Sequence, residues 1–307
     1  MQKKILFVCP KFYNYEKLII EELNTQGYDV TAFTYDEEHC LKLNFFFQPI
    51  KKIISRFSST SIHHLISPDI LFKKINNNIR KLSEIKYDCL LVVKGFGISN
   101  NTIKNINANR KVIYQWDPLS RYPHIYKIYK SFDYTYTFDF QDSKNGFGEY
   151  LPNFIPSDLH KNSLNKFKIF YIGIYSDYRY EKLVKIKKWC SKENIPYDLL
   201  LIHKRKQCED GLIKNKNIDI DEYRNRFSQS SIILEISSSK HNGFTQRYYE
   251  AIFSEKIVLE IKSSDDLNKL INSSKEDISK LKPLPLLDRK KLTDPLLINN
   301  WLNKILD

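Results

Sequence analysis

The stretch 241–251 combines residue types that hold phosphate groups in many α/β proteins. Asn242 and Gly243 lie in a loop that follows an apolar run, and a helix is predicted to begin at Thr245. The first turn of a helix has backbone N–H groups without helical partners, and its dipole favours negative charge. We therefore expect Asn242, Gly243 and Thr245 to contribute to a phosphate-binding site.

Two charged side chains on the same predicted helix extend this site. Arg247 lies on the first turn, where its guanidinium can add a bidentate contact to the phosphate. Glu250 lies three residues later on nearly the same face, and its carboxylate can accept hydrogen bonds from ribose hydroxyls. Loop, cation and carboxylate together predict a nucleotide diphosphate site. The alternative is a solvated Arg/Glu pair on a surface helix.

Two successive series of strands and helices position these residues. The first contains predicted strands at 4–9, 29–35, 88–93, 111–116, 134–138 and 149–151, with helices at 14–26, 68–83, near 101 and 123–131. The second contains strands at 167–172, 197–202, 232–236 and 257–261, with helices at 179–191, 221–228, 245–253 and 296–306. A proline-containing run at 151–157 separates them. This alternation predicts two doubly wound α/β domains, whose ligands bind beyond the carboxyl ends of the strands.

The segment 242–259 resembles the donor-binding signature of GT-B glycosyltransferases, in which an acidic residue, Gly-Phe, a short helix and Glu-Ala lead into a small-residue turn and an apolar strand. Asn242 and Glu250 stand eight residues apart, as the two glutamates of that signature do. Asn242 replaces the first glutamate, which in retaining members lies against the donor sugar, and Glu255 replaces the turn glycine. The wider pattern, including 170–181, is similar to CgeB-like transferases of bacterial surface-polysaccharide loci.

The resemblance implies a fold of two Rossmann-like domains facing a cleft. Residues 1–155 would bind the acceptor, residues 156–307 would bind the nucleotide-sugar, and the last helix would pack back on the N-terminal domain. Glu250 would contact the ribose. Gly173 and Ser176 occupy the place of a glycine-containing loop near the donor phosphates, with an ordinary turn as the alternative.

Two basic residues, Lys204 and Arg205, follow the predicted strand 197–202 at the same edge of the sheet. Cationic side chains there could neutralise the diphosphate leaving group. A solvated basic loop is the alternative interpretation.

Asp117 is the candidate catalytic residue of the N-terminal series, because it directly follows a buried strand. Pro118 forces it towards extended geometry, which determines where its carboxylate points. A general base there would take the proton of the acceptor hydroxyl, an effect typically worth ~10²–10⁴ in rate. A strand-end turn is the alternative, and Asp139 and Asp142 are weaker rivals. Inversion assisted by Asp117 is the preferred expectation, with the stereochemistry left open.

The common cofactor motifs are missing from the sequence. It has no G-x-G-x-x-G and no Walker pattern, which argues against dinucleotide oxidoreductases and P-loop enzymes. The glycines of Gly95-Phe96-Gly97 let backbone approach a ligand, but a tight turn explains them as well. The histidines have no metal spacing, and the five cysteines form no close pair, which favours reduced structural thiols. We expect no cofactor and no metal.

The net charge of +13 is spread evenly along the chain. Residues 1–155 carry 21 basic and 15 acidic side chains, and residues 156–307 carry 28 and 21. Without a basic block, we expect no nucleic-acid partner. The aromatic and basic stretch 43–57 could contact the inner face of the cytoplasmic membrane, with packing in the core as the alternative. No apolar run is long enough to span a bilayer.

We therefore expect a cytoplasmic, metal-independent glycosyltransferase. It would move a sugar from a nucleotide-sugar donor to a hydroxyl of a bacterial surface glycan, such as lipopolysaccharide, capsule or a related lipid-linked acceptor. A nucleic-acid-binding α/β protein and a non-catalytic glycan-binding relative are the alternatives. The donor base, the sugar, the linkage and the oligomeric state stay open.

Overall fold

The chain forms two compact units of mixed α/β structure. A computed structural model describes residues 2–37, 67–120, 125–156, 159, 166–203, 211–215, 218–236 and 243–307. Unit 1 comprises Met1–Pro152 and Trp301–Asp307, and unit 2 comprises Asn153–Asn300. Each contains one parallel sheet.

Unit 1 is built on six parallel strands. They are β1 Lys4–Pro10, β2 Asp29–Tyr35, β3 Tyr87–Val93, β4 Ala108–Gln115, β5 Tyr134–Thr137 and β6 Glu149–Tyr150. Their order across the sheet is β2-β1-β3-β4-β5-β6. The central strands β1 and β3 are buried almost throughout, because helices cover both faces of such a sheet and leave near-continuous apolar runs inside.

Six helices accompany these strands. They are α1 Tyr15–Thr25, α2 Pro68–Leu71, α3 Lys73–Arg80, α4 Asn100–Asn105, α5 Tyr126–Tyr129 and α6 Phe140–Lys144, with a 3₁₀ turn at Lys81–Glu84. Polar caps determine where three of them begin: the side chains of Ser67, Ser99 and Asp139 accept hydrogen bonds from the first turns of α2, α4 and α6.

Unit 2 is built on five parallel strands. They are β7 Lys166–Ile174, β8 Tyr197–Ile202, β9 Ile213–Lys214, β10 Ser230–Glu235 and β11 Ile257–Glu260, in the order β11-β10-β7-β8-β9. Its helices are α7 Asp177–Lys192, α8 Ile220–Ser228, α9 Gln246–Phe253, α10 Ser264–Ile271, α11 Lys275–Ser279 and α12 Leu286–Thr293, with a 3₁₀ turn at Asp294–Leu296.

Both sheets have a topological switch point, where the chain changes the side on which it adds strands. In unit 1 this point lies between β1 and β3, and in unit 2 it lies between β7 and β10. Ligands of doubly wound sheets bind in the crevice beyond the carboxyl ends of the strands at such points. We therefore expect ligands at these two edges of the sheets.

The last helix, α13 Ile298–Leu306, contributes its final turns to unit 1. Trp301, Leu302 and Ile305 are fully buried. The indole of Trp301 packs edge-on against Tyr114 with ring centroids 4.6 Å apart, and its N–H donates to the carbonyl of Pro152 at 3.0 Å. The last residues of the sequence thus complete the core of the unit that contains the first ones.

The predicted fold class, two Rossmann-like doubly wound sheets, is confirmed. Ten of the strands occur where the sequence predicts them, within about three residues at each end, as is usual for such assignments. The two-residue strand β9 and helices α6, α10, α11 and α12 were not predicted. The boundary between the units, at Pro152, lies within the predicted run 151–157. Across the described ranges, every helix is too short or too polar to cross a bilayer.

Candidate functional site

The switch point of unit 2 has a helix beginning beyond each of its two strands. Helix α7 starts three residues after β7, and α9 starts eleven residues after β10. Ser176 caps α7, since its hydroxyl accepts a hydrogen bond from the backbone N–H of Arg179 at 3.3 Å. Thr245 is the N-cap of α9. Two helix N-termini at one sheet edge are suited to an anionic ligand.

Gly173 lies inside strand β7, which runs two residues further than predicted, and not in the loop beyond it. A Cβ at this position would lie 2.9 Å from the hydroxyl oxygen of Tyr171. The glycine therefore makes room for the tyrosine, which is fully buried. Its predicted approach to a phosphate stays a prediction.

Arg247, a predicted phosphate ligand, lies in the interior at this edge of the sheet, and its contact with a phosphate stays a prediction. The residue is 8% exposed, and three of its N–H groups donate within the protein. Nε donates to the carbonyl of Leu234 at 3.1 Å, Nη1 to the carbonyl of Ile172 at 2.7 Å, and Nη2 to Glu235 Oε2 at 3.3 Å. The guanidinium also lies 4.4 Å from the ring centroid of Tyr171. Arg247 thus joins β7 to β10 at the switch point.

Glu235, the last residue of β10, is the partner that the sequence analysis missed. Its side chain is fully buried, and its Oε1 and Oε2 accept hydrogen bonds from the backbone N–H and the hydroxyl of Thr245, at 3.1 and 2.7 Å. Burial alone would lower the pKa of Arg247, but Glu235 together with Tyr171 and Tyr223 outweighs that effect and the pKa is raised. The ion pair and the two hydrogen bonds from Thr245 fix the start of α9.

Glu250 lies on the buried side of α9, with 2% of its surface exposed. The side-chain amide of Gln246 donates to its Oε1 at 3.2 Å and also to the carbonyl of Phe154. The carboxylate is close to Tyr223, whose pKa is raised by burial and by Glu250. Its predicted contact with a ribose stays a prediction.

Several predicted positions lie outside the described residues. These are Asn242, Lys204, Arg205 and the stretch 43–57. Gly243 is described and buried. His203, which precedes the two basic residues, packs edge-on against Tyr175 with ring centroids 5.1 Å apart.

The switch point of unit 1 brings together three charged side chains that follow different strands. Lys94 comes directly after β3, and its Nζ lies 2.7 Å from Asp117 Oδ2 and 2.7 Å from Glu37 Oε2. Burial alone would lower the pKa of Lys94, but Asp117 and Glu37 outweigh it, so the pKa is raised and the ammonium stays charged. The candidate base Asp117 therefore has its cationic partner within the same unit.

The two rival aspartates have structural partners. Asp139 caps α6 by accepting hydrogen bonds from the backbone N–H groups of Gln141 and Asp142. Asp142 Oδ2 accepts from the backbone N–H of Leu119 at 2.8 Å, which anchors the chain two residues after Asp117. Burial raises the pKa of Asp142. The choice of Asp117 over these two rivals stays a prediction.

The two glycines after β3 belong to a tight turn. Gly95 and Gly97 have φ of 70° and 78°, a region that side chains rarely adopt. A Cβ on Gly95 would lie 2.9 Å from the Cδ1 of Ile128, and one on Gly97 would lie 3.1 Å from the ring of Phe72. Packing and turn geometry explain both positions.

In the described part of the chain, no group of three or more His, Cys, Asp or Glu side chains is arranged to hold a metal ion. Cys9, Cys89 and Cys190 are free and buried, and burial raises the pKa of each thiol.

Comparison with known proteins identifies the fold. No protein-family model matches the chain, and the search of curated proteins found no match. Among solved structures, AviGT4, a glycosyltransferase involved in avilamycin A biosynthesis, superposes with a TM-score of 0.52 at 8% identity, over 99% of this chain and 97% of that chain. TarM superposes with a TM-score of 0.51 at 10% identity, over 99% and 98%.

These likenesses, with the two parallel sheets, define the class of the protein. The chain has the GT-B fold of two Rossmann-like domains. At identities this low the likeness concerns the fold alone, and activity has to be argued from the site.

Proposed function

We propose that the protein is a glycosyltransferase that moves a sugar from a nucleotide-sugar donor to an acceptor hydroxyl. The observation that carries the proposal is the start of α9. The buried pair Arg247 and Glu235 holds Thr245 at the switch point of unit 2, beside the carboxyl ends of β7 and β10. Such a fixed helix N-terminus is a ready site for a phosphate.

On the donor side, backbone N–H groups of the first turns of α7 and α9 would bind the diphosphate. Gly243, Thr245 and Ser176 would border this site, and Asn242, Lys204 and Arg205 would join it. Arg247 serves as a positioning residue in this scheme, because its hydrogen bonds go to two strands and to Glu235. Fixed donors aimed at the developing charge of the leaving group would be the largest catalytic contribution.

Glu250 would accept hydrogen bonds from the ribose hydroxyls. The side-chain amide of Gln246 donates to its Oε1. The ribose would then approach a carboxylate that already has an ordered partner, which reduces the cost of orienting it on binding. The nucleotide would thus be held at both its phosphate and its ribose end.

On the acceptor side, Asp117 would take the proton of the attacking hydroxyl. Lys94 lies between Asp117 and Glu37, so the three side chains carry a net charge of −1 when all are ionised. A neutral acceptor hydroxyl can enter such a cluster without large electrostatic repulsion. The diphosphate charge is assigned here to backbone N–H groups, so the proposed mechanism needs no metal ion.

We further propose that the acceptor is a bacterial surface glycan, such as lipopolysaccharide, capsule or a related lipid-linked acceptor. The enzyme would work in the cytoplasm, at the membrane face, through 43–57. This finer proposal rests on the likeness of 170–181 and 242–259 to CgeB-like transferases and on the mixed aromatic and basic composition of 43–57. Anionic headgroups attract such a segment by about 1 kcal/mol per lysine.

A thermal-shift screen with UDP, GDP, CMP, dTDP and their sugars tests donor binding. We expect one nucleotide to raise the melting temperature of the wild type, because a ligand that binds only the folded state stabilises it. Glu250→Gln should weaken the binding of that nucleotide by about ten-fold or more. Glu222→Gln, which changes an exposed carboxylate on α8, is the control and should bind normally. Wild-type binding by the Glu250 variant would remove Glu250 from the ribose role.

Turnover measurements test the acceptor side. Asp117→Asn should lower kcat by about 10²-fold or more, with donor affinity nearly unchanged, because the amide cannot accept the proton. Asp133→Asn, at the opposite end of the sheet, serves as the matched control. A variant Asp117→Asn with normal kcat would assign the base to another residue.

A further inference from the structure

A patch of exposed aromatic side chains lies at the switch point of unit 1. Phe12, two residues after β1, is 44% exposed, and Tyr13 is 37% exposed. Their ring centroids lie 4.7 Å apart, and the ring of Phe12 lies 5.6 Å from that of Trp116, which directly follows β4. We call Phe12, Tyr13 and Trp116 the aromatic patch. It joins the ends of two strands that β3 separates in the sheet.

The loop that contains Phe12 and Tyr13 is fixed by a hydrogen bond to helix α1. The buried carboxylate of Glu16 accepts a hydrogen bond from the backbone N–H of Phe12 at 3.0 Å. Tyr13 and Asn14 both adopt left-handed backbone conformations, with φ of 49° and 61°. Neither residue is glycine, so each costs free energy, and such strain is concentrated at ligand sites. The loop thus has a strained backbone next to the exposed rings of Phe12 and Tyr13.

Polar side chains border the patch. Trp116 is followed by Asp117, whose carboxylate contacts Lys94, and Lys94 in turn contacts Glu37. Carboxylates accept hydrogen bonds from hydroxyl groups, and an ammonium donates hydrogen bonds to hydroxyl oxygens. Exposed ring faces beside a row of ionised side chains match a molecule with an apolar face and a rim of hydroxyl groups.

We propose that this edge binds a hexopyranose ring of the acceptor glycan, with its C–H face on the aromatic patch and its hydroxyls towards Asp117, Lys94 and Glu37. The inference rests on the proposed function, whose acceptor it specifies as a neutral sugar ring. The face of an aromatic ring carries negative charge density and attracts the weakly positive C–H groups of a pyranose. Stacking of this kind would bring a sugar hydroxyl to Asp117.

Tryptophan fluorescence offers a direct test. Of the three tryptophans, Trp189 and Trp301 are 4% and 0% exposed, whereas Trp116 is partly exposed. Acrylamide quenching therefore reports mainly on Trp116. The probes are methyl β-d-glucopyranoside and methyl β-d-galactopyranoside, titrated over about 1–100 mM because a single sugar ring binds weakly. Sorbitol, an open-chain polyol, is the ligand control.

We expect at least one glycoside to protect Trp116 from acrylamide in a saturable manner, and sorbitol to give no protection. Phe12→Leu should weaken glycoside binding about three- to ten-fold, because leucine keeps the apolar bulk but lacks the face of an aromatic ring. Phe12→Tyr keeps the ring and should bind within about two-fold of the wild type. Tyr134→Leu, an equally exposed aromatic position at the amino end of β5, should bind normally.

Three results would overturn the inference: no saturable protection by either glycoside, equal protection by sorbitol, or unchanged affinity in Phe12→Leu. The nucleotide screen on the same protein separates this failure from failure of the proposed function. Nucleotide binding without glycoside binding would reject the sugar site and leave the transferase proposal in place. Glycoside binding without any nucleotide binding would reject the transferase and leave a glycan-binding edge.

Discussion

Arg247 is a charged side chain that makes hydrogen bonds within unit 2, at the sheet edge where a ligand is expected. Its guanidinium joins the carbonyls of Ile172 and Leu234 and pairs with Glu235. Adjacent strands diverge at a switch point, and their last carbonyls there need donors. A planar group with five N–H donors can satisfy both strands and a carboxylate at the same time.

Removal of that guanidinium should be costly for the fold. We expect Arg247→Ala to lower the free energy of unfolding by about 3–5 kcal/mol, because it removes the cationic partner of the buried Glu235 side chain. Urea denaturation measures the change. The double variant Arg247→Met with Glu235→Leu should recover part of the loss. A single variant that loses less than about 1 kcal/mol would show that the pair is not buried as described.

Lys256 is a buried lysine, with 2% of its surface exposed. Its Nζ donates to the carbonyls of Ser228 and Ser230, and burial lowers its pKa from 10.5 to about 8. Between pH 8 and 10.5 the unfolded chain holds a proton at this site that the folded chain has lost. The contribution of Lys256 to the free energy of unfolding therefore increases as the pH rises from 8 to 10.5.

Comparison with Lys256→Met isolates this contribution. From pH 8 to 10.5, the wild type should gain stability relative to the variant, because methionine does not titrate. Denaturation of both proteins at several pH values measures the difference, in which other titrating groups cancel. A difference that is constant with pH would mean that Lys256 keeps its ordinary pKa.

At the level of elements, the turn between α9 and β11 contains an uncommon backbone conformation. Glu255 has φ of 60°, the left-handed region that a glycine adopts at low cost. This is the position where the sequence departs from the glycine of the donor-binding signature. The turn therefore has a backbone geometry that suits glycine, although its residue is glutamate. Glu255 also pairs with Arg289 of α12, at 2.8 Å.

At position 255, glycine should give a more stable protein than alanine. Glu255→Gly is expected to be more stable than Glu255→Ala by about 1 kcal/mol, because both lose the ion pair and only alanine keeps the Cβ strain. The same two substitutions at Lys188, exposed in the middle of α7, should show the opposite order by about 1 kcal/mol. Thermal denaturation of the four variants gives both comparisons. The same order at both positions would contradict a left-handed turn.

At the level of the whole molecule, the sequence order and the compact units do not coincide. Residues 301–307 belong to the unit formed by residues 1–152. Trp301 is the largest fully buried side chain of the described residues, and it contacts Tyr114 of β4. The core of unit 1 is therefore completed only when residues 301–307 have been synthesised.

Trp301→Ala should destabilise unit 1 by about 3–5 kcal/mol through the cavity that it leaves. Hydrogen exchange followed by mass spectrometry should show faster exchange in β1, β3 and β4 than in β7 and β8. Trp189→Ala, which removes a buried indole from unit 2, should give the reverse pattern. Faster exchange in unit 2 alone after the Trp301 substitution would exclude the assignment of the last helix to unit 1.

The sequence by itself determined the order of strands and helices, because apolar periodicity and polar caps act within a few residues of each other. It also indicated the fold class and the start of α9 near Thr245. The short helices α10 and α11 were missed, although Ser263 and Ser274 form capping boxes whose Ser-x-x-Asp pattern is present in the sequence.

Only the tertiary structure decided which charges meet. Glu37, Lys94 and Asp117 follow three different strands, and Glu235 is twelve residues from Arg247. Their contacts depend on strand order and register, which arise from the packing of the whole sheet and not from local spacing. Residue type suggested that Arg247 would contact a phosphate, and only the packed sheet shows that two carbonyls and a carboxylate also surround its guanidinium.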